Sequence, residues 1–319
     1  MTKVLILTYE DDSHADSVRN HLNKKGIENL TVITEKLLTD YKINFHSKDL
    51  IYTLEDKTRI VELDSSWNIW NRRVMIPERN KGMSKDLQDL IIDECEKTWD
   101  GLLMAHKGKV VNRPQNHFYA NNKLDQLKFA LGNGTGVFVP DTLVTNDPEK
   151  LKKFYERYNG NICFKLQKGA IIRTPMGNKV IYTNKVTDEH IKNADLISSN
   201  PSLFQEYIDK EFEMRIISTD KTSTGIAIYS QNSEISKIDY RRYDFENVAH
   251  KKTNIPDTVK KFCSNMLKHY GLHFGAFDFI HSKDGKYFFL ELNPNGQWLW
   301  LEEQSGYNLT KEIADNLIE

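Results

Sequence analysis

Asp278 and Glu291 are the residues of this 319-residue chain whose spacing most directly implies chemistry. They sit in residues 275–300, GAFDFIHSKDGKYFFLELNPNGQWLW, which read as two strands joined at Asp284-Gly285, a strong hairpin signal. With those two residues as the loop, Lys283 pairs with Lys286 and Asp278 falls opposite Glu291. A four-residue loop shifts the pairing but keeps both carboxylates on one face, because side chains alternate with period two. Asn293 points the same way, while Phe277, Phe279, Leu290 and Leu292 take the other face, the expected core. Neighbouring carboxylates repel each other. A hard cation offsets the repulsion, and Asp, Glu and Asn are the ligands Mg2+ takes when it is shared with substrate phosphates. A solvated strand face would also carry a lone Asp/Glu pair. The run Asn293-Pro294-Asn295-Gly296 shifts the balance, since it ends the strand abruptly and leaves amide side chains beside the acids.

Asp278 followed by Glu291-Leu292-Asn293-Pro294-Asn295-Gly296 resembles the metal-binding end of the ATP-grasp ligases. The extension Gln297-Trp298-Leu299-Trp300 resembles a narrower group, the microviridin- or graspetide-type enzymes that close ester or amide rings between side chains of a ribosomally made peptide. The resemblance implies an α/β (α+β) chain with an ATP-grasp fold and an amino-terminal Rossmann-like pre-ATP-grasp domain. Residues 1–115 would be that domain, 116–203 the central ATP-grasp subdomain, and 204–319 the carboxy-terminal subdomain with the metal and nucleotide site. It also implies ATP and Mg2+ as cofactors, with Asp278, Glu291 and Asn293 as metal ligands.

The resemblance implies a nucleotide cleft around this hairpin. Residues 122–131 read as a helix stopped at Gly132, with Lys123 at its start. Alone, Lys123 is a surface lysine; the resemblance gives it the nucleotide phosphates. Residues 161–167 alternate as a strand, with Lys165 on its inner face just before Lys168-Gly169-Ala170, where a compact ammonium suits a point contact with phosphate. Loop 168–178 resembles the flap over the triphosphate, whose backbone N–H groups can cradle phosphate; an ordinary hairpin accounts for the same residues. No GxxxxGK[ST] occurs. Residues 203–208 read as a strand entering the polar run DKEFEMR. The resemblance makes this the link between the two halves of the cleft, with the backbone of Glu206 and Ile208 on the adenine, Glu211 on the ribose hydroxyls and Gln205 among the cofactor-binding residues. Glu213 and Arg215 lie two apart on one strand face. They are either an ion pair worth little at a surface or groups aimed into the cleft, where the Arg215 fork suits a phosphate or acyl-phosphate oxygen. Asp239-Tyr240-Arg241 matches an Asp-aromatic-Arg run of the ring-forming group, which makes Arg241 a second catalytic cation; a solvated strand end is the plainer account. Glu213 and Asp239 are candidates to deprotonate the attacking nucleophile. Trp298 and Trp300 either line an acceptor site or pack.

Around this cleft, residues 3–9 read as a buried parallel strand, 13–25 as a helix stopped by Gly26, and 30–33 as a second strand. No GxGxxG follows the first strand, so no dinucleotide site is expected. Residues 50–75 are extended, and Trp67 to Arg73 resembles a Trp-x-Arg-Arg strand of the ring-forming group. Residues 85–103, 254–269 and 309–318 carry helical patterns, and Asn112-Arg113-Pro114 reads as a turn. With 44 Lys+Arg against 45 Asp+Glu, the balance carries no general nucleic-acid or membrane signature. Three cysteines without metal-type spacing suit a reducing cytosol.

The reading is an ATP-dependent ligase. It would phosphorylate Asp/Glu side-chain carboxylates of a ribosomal precursor peptide and join them to Thr/Ser hydroxyls or Lys amines. The expected partners are a leader-plus-core peptide and a second copy in a homodimer, without nucleic acid or membrane, in the cytoplasm. The alternatives are a glutathione-synthase-like ligase that adds amino acids, and a nucleotide-binding module without turnover.

Overall fold

The computed structural model describes residues 2–48, 51–75, 77, 82–167, 171–174 and 177–319. The first strand, Lys3–Thr8, is apolar from Val4 to Leu7 because both its faces are covered. It lies between Asn29–Ile33 and Trp67–Asn71, with Val110–Val111 beyond, and all four strands are parallel. Helix Ser13–Lys24, capped by the Asp12 side chain, packs Ala15, Val18 and Leu22 with Val4 and Ile6 on one face. Helix Lys85–Ala105, capped by Ser84, packs Trp99, Leu102 and Leu103 with Leu5, Leu7 and Ile69 on the other. The extended residues between these strands form an antiparallel sheet, Lys42–His46, Ile51–Glu55 and Ile60–Glu62.

A second sheet runs in the order Asn184–Lys185, Ile162–Lys165, Ser202–Glu206, Thr142–Thr145, all antiparallel. Ile162 and Phe204 face Leu151 and Phe154 of helix Pro148–Arg157. Cys163, Lys165 and Gln205 face a cavity instead. Strands Ile171–Thr174 and Gly177–Val180 form the hairpin of the expected flap, of which residues 168–170 and 175–176 lie outside the described residues.

The third sheet has five antiparallel strands in the order His250–Thr253, Ser223–Ile228, Lys210–Thr219, Phe274–Ser282, Tyr287–Asn293. Helix Asp257–Tyr270, ended by Gly271 at φ 63°, covers one face with Val259, Phe262 and Met266 against Phe277, Phe279 and Leu292. The other face changes character along its length. Glu213, Arg215 and Asp278 are polar, while Ile217, Phe274 and Ala276 join Val4, Ile6 and Trp70 of the first sheet in one core with helix Leu309–Ile318. Among the described residues, no helix is long and apolar enough to cross a membrane.

Asp278 pairs with Glu291 as the hairpin pattern predicts, but by a different route. Ser282 N–H donates to Lys286 O and Gly285 N–H to Ser282 O, so the turn is one residue out from a two-residue loop. Phe279 pairs with Phe289, and a bulge between Asp278 and Phe279 inserts Leu290 as the extra residue. Leu290 therefore departs from the expected core face. Phe289 is fully buried in its place, and Leu290 lines the cavity beside Glu291. Phe289→Ala should cost about 3–5 kcal/mol in denaturant unfolding, and Leu290→Ala clearly less. A reversed order in the urea midpoints would restore the simple alternation.

Candidate active site

A cavity of about 1270 Å3 lies between the second and third sheets and reaches the first. Its floor is the Asp278–Glu291 pair, and two strands meet at Asp278. Arg215 is its cross-strand partner on Lys210–Thr219 and donates through Nη1 to both carboxylate oxygens, at 2.9 and 2.7 Å. Tyr240 donates to Asp278 Oδ1 at 3.0 Å. Lys123 opens helix Lys123–Gly132, whose cap is Asn122, and its ammonium is hydrogen-bonded to Glu291 Oε2. Arg241 Nη1 stands 4.0 Å from Glu291 Oε1. The Asn293 amide lies 3.5 Å from Asp278 Oδ2 and 3.4 Å from Glu291 Oε1.

Burial acts to raise both carboxyl pKa values. At Glu291, Lys123 and Arg241 outweigh it and hold the group well below the usual range. At Asp278, burial together with the charge on Glu291 outweighs the pull of Arg215, and the group is pushed up. A divalent cation shared by the two acids would remove that conflict. The donors present are two carboxylates and an amide, all hard oxygens, which suit Mg2+. Among the described residues no group of three His, Cys, Asp or Glu side chains could enclose a metal, so substrate oxygens and water would complete the shell.

Lys165 and Gln205 stand on the cavity wall, with Lys165 Nζ 2.6 Å from Gln205 Oε1. Burial lowers the Lys165 ammonium pKa, and the nearby Lys123 and Arg241 push the same way. Ile208, Ile280, Leu290 and Cys163 give the cavity an apolar flank. Glu206 N–H is already bonded to Asp141 O and Tyr207 N–H to Asn161 O, both at 2.9 Å. Along this edge, the Glu206 carbonyl and the Ile208 N–H carry no backbone hydrogen bond among the described residues and suit a ligand.

Four expected residues sit differently from the roles given them. Arg215 is buried behind Asp278 and does not line the cavity; besides Asp278 it holds the Gln297 carbonyl through Nη2, at 3.3 Å. Glu211 also lies off the cavity, on the exposed side of its strand, where it pairs with His281 at 3.0 Å. Glu213 lines the cavity, but one oxygen takes Lys210 and the other Ser230. Asp239 accepts from Arg241 Nε and Nη2 at 2.8 and 2.6 Å and from Thr183 N–H at 2.8 Å. These partners outweigh burial and hold its carboxyl down to about 2. Both carboxylates are thus engaged in placing a cation, Lys210 or Arg241. Trp298 is fully buried against Trp70, His14 and Phe274, whereas Trp300 is half-buried and stacks on Tyr240. Sequence reasoning gave no role to Tyr240, whose only signal was its place between Asp239 and Arg241.

The loop after Asn293 runs tight against this floor. A Cβ on Gly296 would come within 2.3 Å of Ala276 Cβ and 2.7 Å of Arg215 Nη2. Gly296→Ala should lower stability by about 1–3 kcal/mol through overpacking. Ala276→Gly in the same chain should recover part of it, which a double-mutant cycle reads from urea midpoints.

Residues 3–117 match a family model described as the MvdD pre-ATP grasp domain, and residues 120–317 match the RimK-like ATP-grasp domain. A search of curated proteins finds no match. Among solved structures, macrocyclase MdnC of Microcystis aeruginosa MRC, bound with precursor peptide MdnA, is 26% identical with a TM-score of 0.85, over 99% of each chain. A RiPP-associated ATP-grasp ligase of Chryseobacterium gregarium, in complex with ADP and a leader and core peptide, is 25% identical with a TM-score of 0.88, over 100% of this chain and 96% of that one. Macrocyclase MdnB of Microcystis aeruginosa MRC is 27% identical with a TM-score of 0.79, over 100% and 99%. With the RimK-like model spanning well over half its length, the chain belongs to the ATP-grasp family and is an ATP-dependent ligase.

Proposed function

We propose that this ligase closes rings in a ribosomal precursor peptide, using ATP and Mg2+. The observation that carries the reading is the convergence on one cavity of Asp278, Glu291 and Asn293 with Lys123, Lys165 and Arg241. At about 1270 Å3, that cavity exceeds the roughly 300–1,000 Å3 usual for a small ligand, which leaves room for a peptide side chain beside the nucleotide. The likeness to MdnC and to the Chryseobacterium ligase, both solved with peptides, supports the substrate class.

A carboxylate is a poor electrophile, so an Asp or Glu of the peptide is first phosphorylated. Its oxygen attacks the γ-phosphorus of ATP, ADP leaves, and an acyl phosphate results. A Thr/Ser hydroxyl or Lys amine then attacks the acyl carbon and expels phosphate, giving an ester or amide. The protein's share is positioning and charge neutralisation. Lys123 and Lys165 suit phosphate oxygens, and Arg241, held in place by Asp239, faces the same space. Gln205, the Glu206 carbonyl and the Ile208 N–H suit the adenine. Asp278, Glu291 and Asn293 would hold Mg2+, which when bound neutralises charge on the phosphate oxygens. Arg215 keeps Asp278 oriented.

The test is intact mass of a neighbouring precursor peptide incubated with the protein, ATP and Mg2+. A loss of about 18 Da per ring with ADP formed is expected from acyl-phosphate capture, and methanolysis separates esters from amides. A gain of one amino-acid mass would replace this reading with a tailing ligase; no mass change and no ADP would leave a nucleotide-binding module. Asp278→Asn and Glu291→Gln should each abolish ring closure while the circular-dichroism melt shows a folded chain. Wild-type turnover in either would remove the metal assignment. Lys165→Ala should raise the KM for ATP or lower kcat, and full activity there would move the phosphate site elsewhere.

A further inference from the structure

The loop 294–299 is held from one side by the first sheet. Asn112 Nδ2 donates to Pro294 O at 2.7 Å. Arg72 Nη1 donates to Asn295 O at 3.1 Å, Asn295 Oδ1 at 2.8 Å and Gly296 O at 3.4 Å. His14 Nε2 accepts from the N–H groups of Trp298 and Leu299, at 3.4 and 3.3 Å. From the opposite side Arg215 takes the Gln297 carbonyl.

The three side chains share a place in the fold. Arg72 follows strand Trp67–Asn71, Asn112 follows Val110–Val111, and His14 lies in the helix after Lys3–Thr8. All stand at the carboxyl ends of parallel strands, the crevice where open α/β sheets bind ligands. In this protein the chain's own loop lies there. Arg72 is about 1% exposed, its guanidinium 4.9 Å from the Trp298 ring and 5.8 Å from Trp70, with Asp12 at 3.5 Å. Burying that charge is costly, and the three hydrogen bonds that Nη1 of the guanidinium makes among the described residues all go to this loop.

We infer that Arg72, with His14 and Asn112, is a positioning residue of the metal site: it fixes the loop that sets Asn293 and the Arg215–Asp278 pair. The inference rests on the proposed reading that Asp278, Glu291 and Asn293 hold Mg2+. The partner of the clamp is thus the catalytic floor itself.

Isothermal calorimetry with ADP, in the presence and absence of Mg2+, tests it. In Arg72→Gln the dissociation constant of ADP with Mg2+ should rise about tenfold, the lower end for partners outside the ligand shell. ADP affinity without Mg2+ should stay as in the wild type, because Lys165, Gln205 and Ile208 are untouched. If circular dichroism shows Arg72→Gln unfolded, Asn295→Ala reads the same contact with the arginine charge left in place. Equal losses with and without Mg2+, or no loss in a folded variant, overturn the clamp alone. A wild-type ADP affinity indifferent to Mg2+ overturns the metal reading and the clamp with it.

Discussion

Two carboxylates face each other across adjacent strands in a largely buried place, and the rest of the structure answers that constraint. Asp278 and Glu291 are in register, so backbone hydrogen bonding itself holds them together. Their repulsion is met by cations from separate stretches of chain: Arg215 from the neighbouring strand, Lys123 from a helix start, and Arg241 from the turn after Asp239. Each cation is in turn fixed, Arg215 by the Gln297 carbonyl, Lys123 by the Asn122-capped helix, and Arg241 by Asp239. A buried pair broken on one side leaves an uncompensated charge worth several kcal/mol, so these placements depend on one another.

The third sheet connects that polar floor to the rest of the fold with one strand face. On Lys210–Thr219, Glu213 and Arg215 precede Ile217; on Phe274–Ser282, Phe274 and Ala276 precede Asp278. The apolar members are buried with Val4, Ile6 and Trp70 of the first sheet. The core that joins the amino-terminal sheet to the third sheet therefore ends one residue pair short of the site. A shift of one sheet against the other would be felt at Arg215 and Asp278 directly, because interiors at crystal-like density transmit displacement.

The periodic parts of this arrangement were legible in the sequence. Alternation placed Asp278 opposite Glu291, and the stop signal at Gly132 bounded helix Lys123–Gly132. The face of Leu290 was not legible, because a bulge adds a residue without any residue type announcing it. Nor was the depth of Arg215. A Glu-x-Arg pattern puts both side chains on one face, but only the loop 294–299 folding over that face makes Arg215 a support for Asp278. Residues 112–114 read as a turn, yet Pro114 opens helix Pro114–Ala120 and Asn112 crosses to the loop. Contacts such as that one, across 182 positions, leave no local pattern.

The positions of Glu213 and Asp239 decide what kind of site this is. Had either carboxylate been free in the cavity, proton uptake from a nucleophile would have been its natural role. Instead Glu213 is taken by Lys210 and Ser230, and Asp239 by Arg241 and Thr183, which holds its carboxyl down to about 2. A carboxylate that acidic is a weak base near neutral pH. Glu213 and Asp239 thus each orient a positive charge, Lys210 and Arg241. That suits a reaction whose barrier lies in charge on a transferring phosphoryl group, where fixed cations are worth most when they need not reorganise.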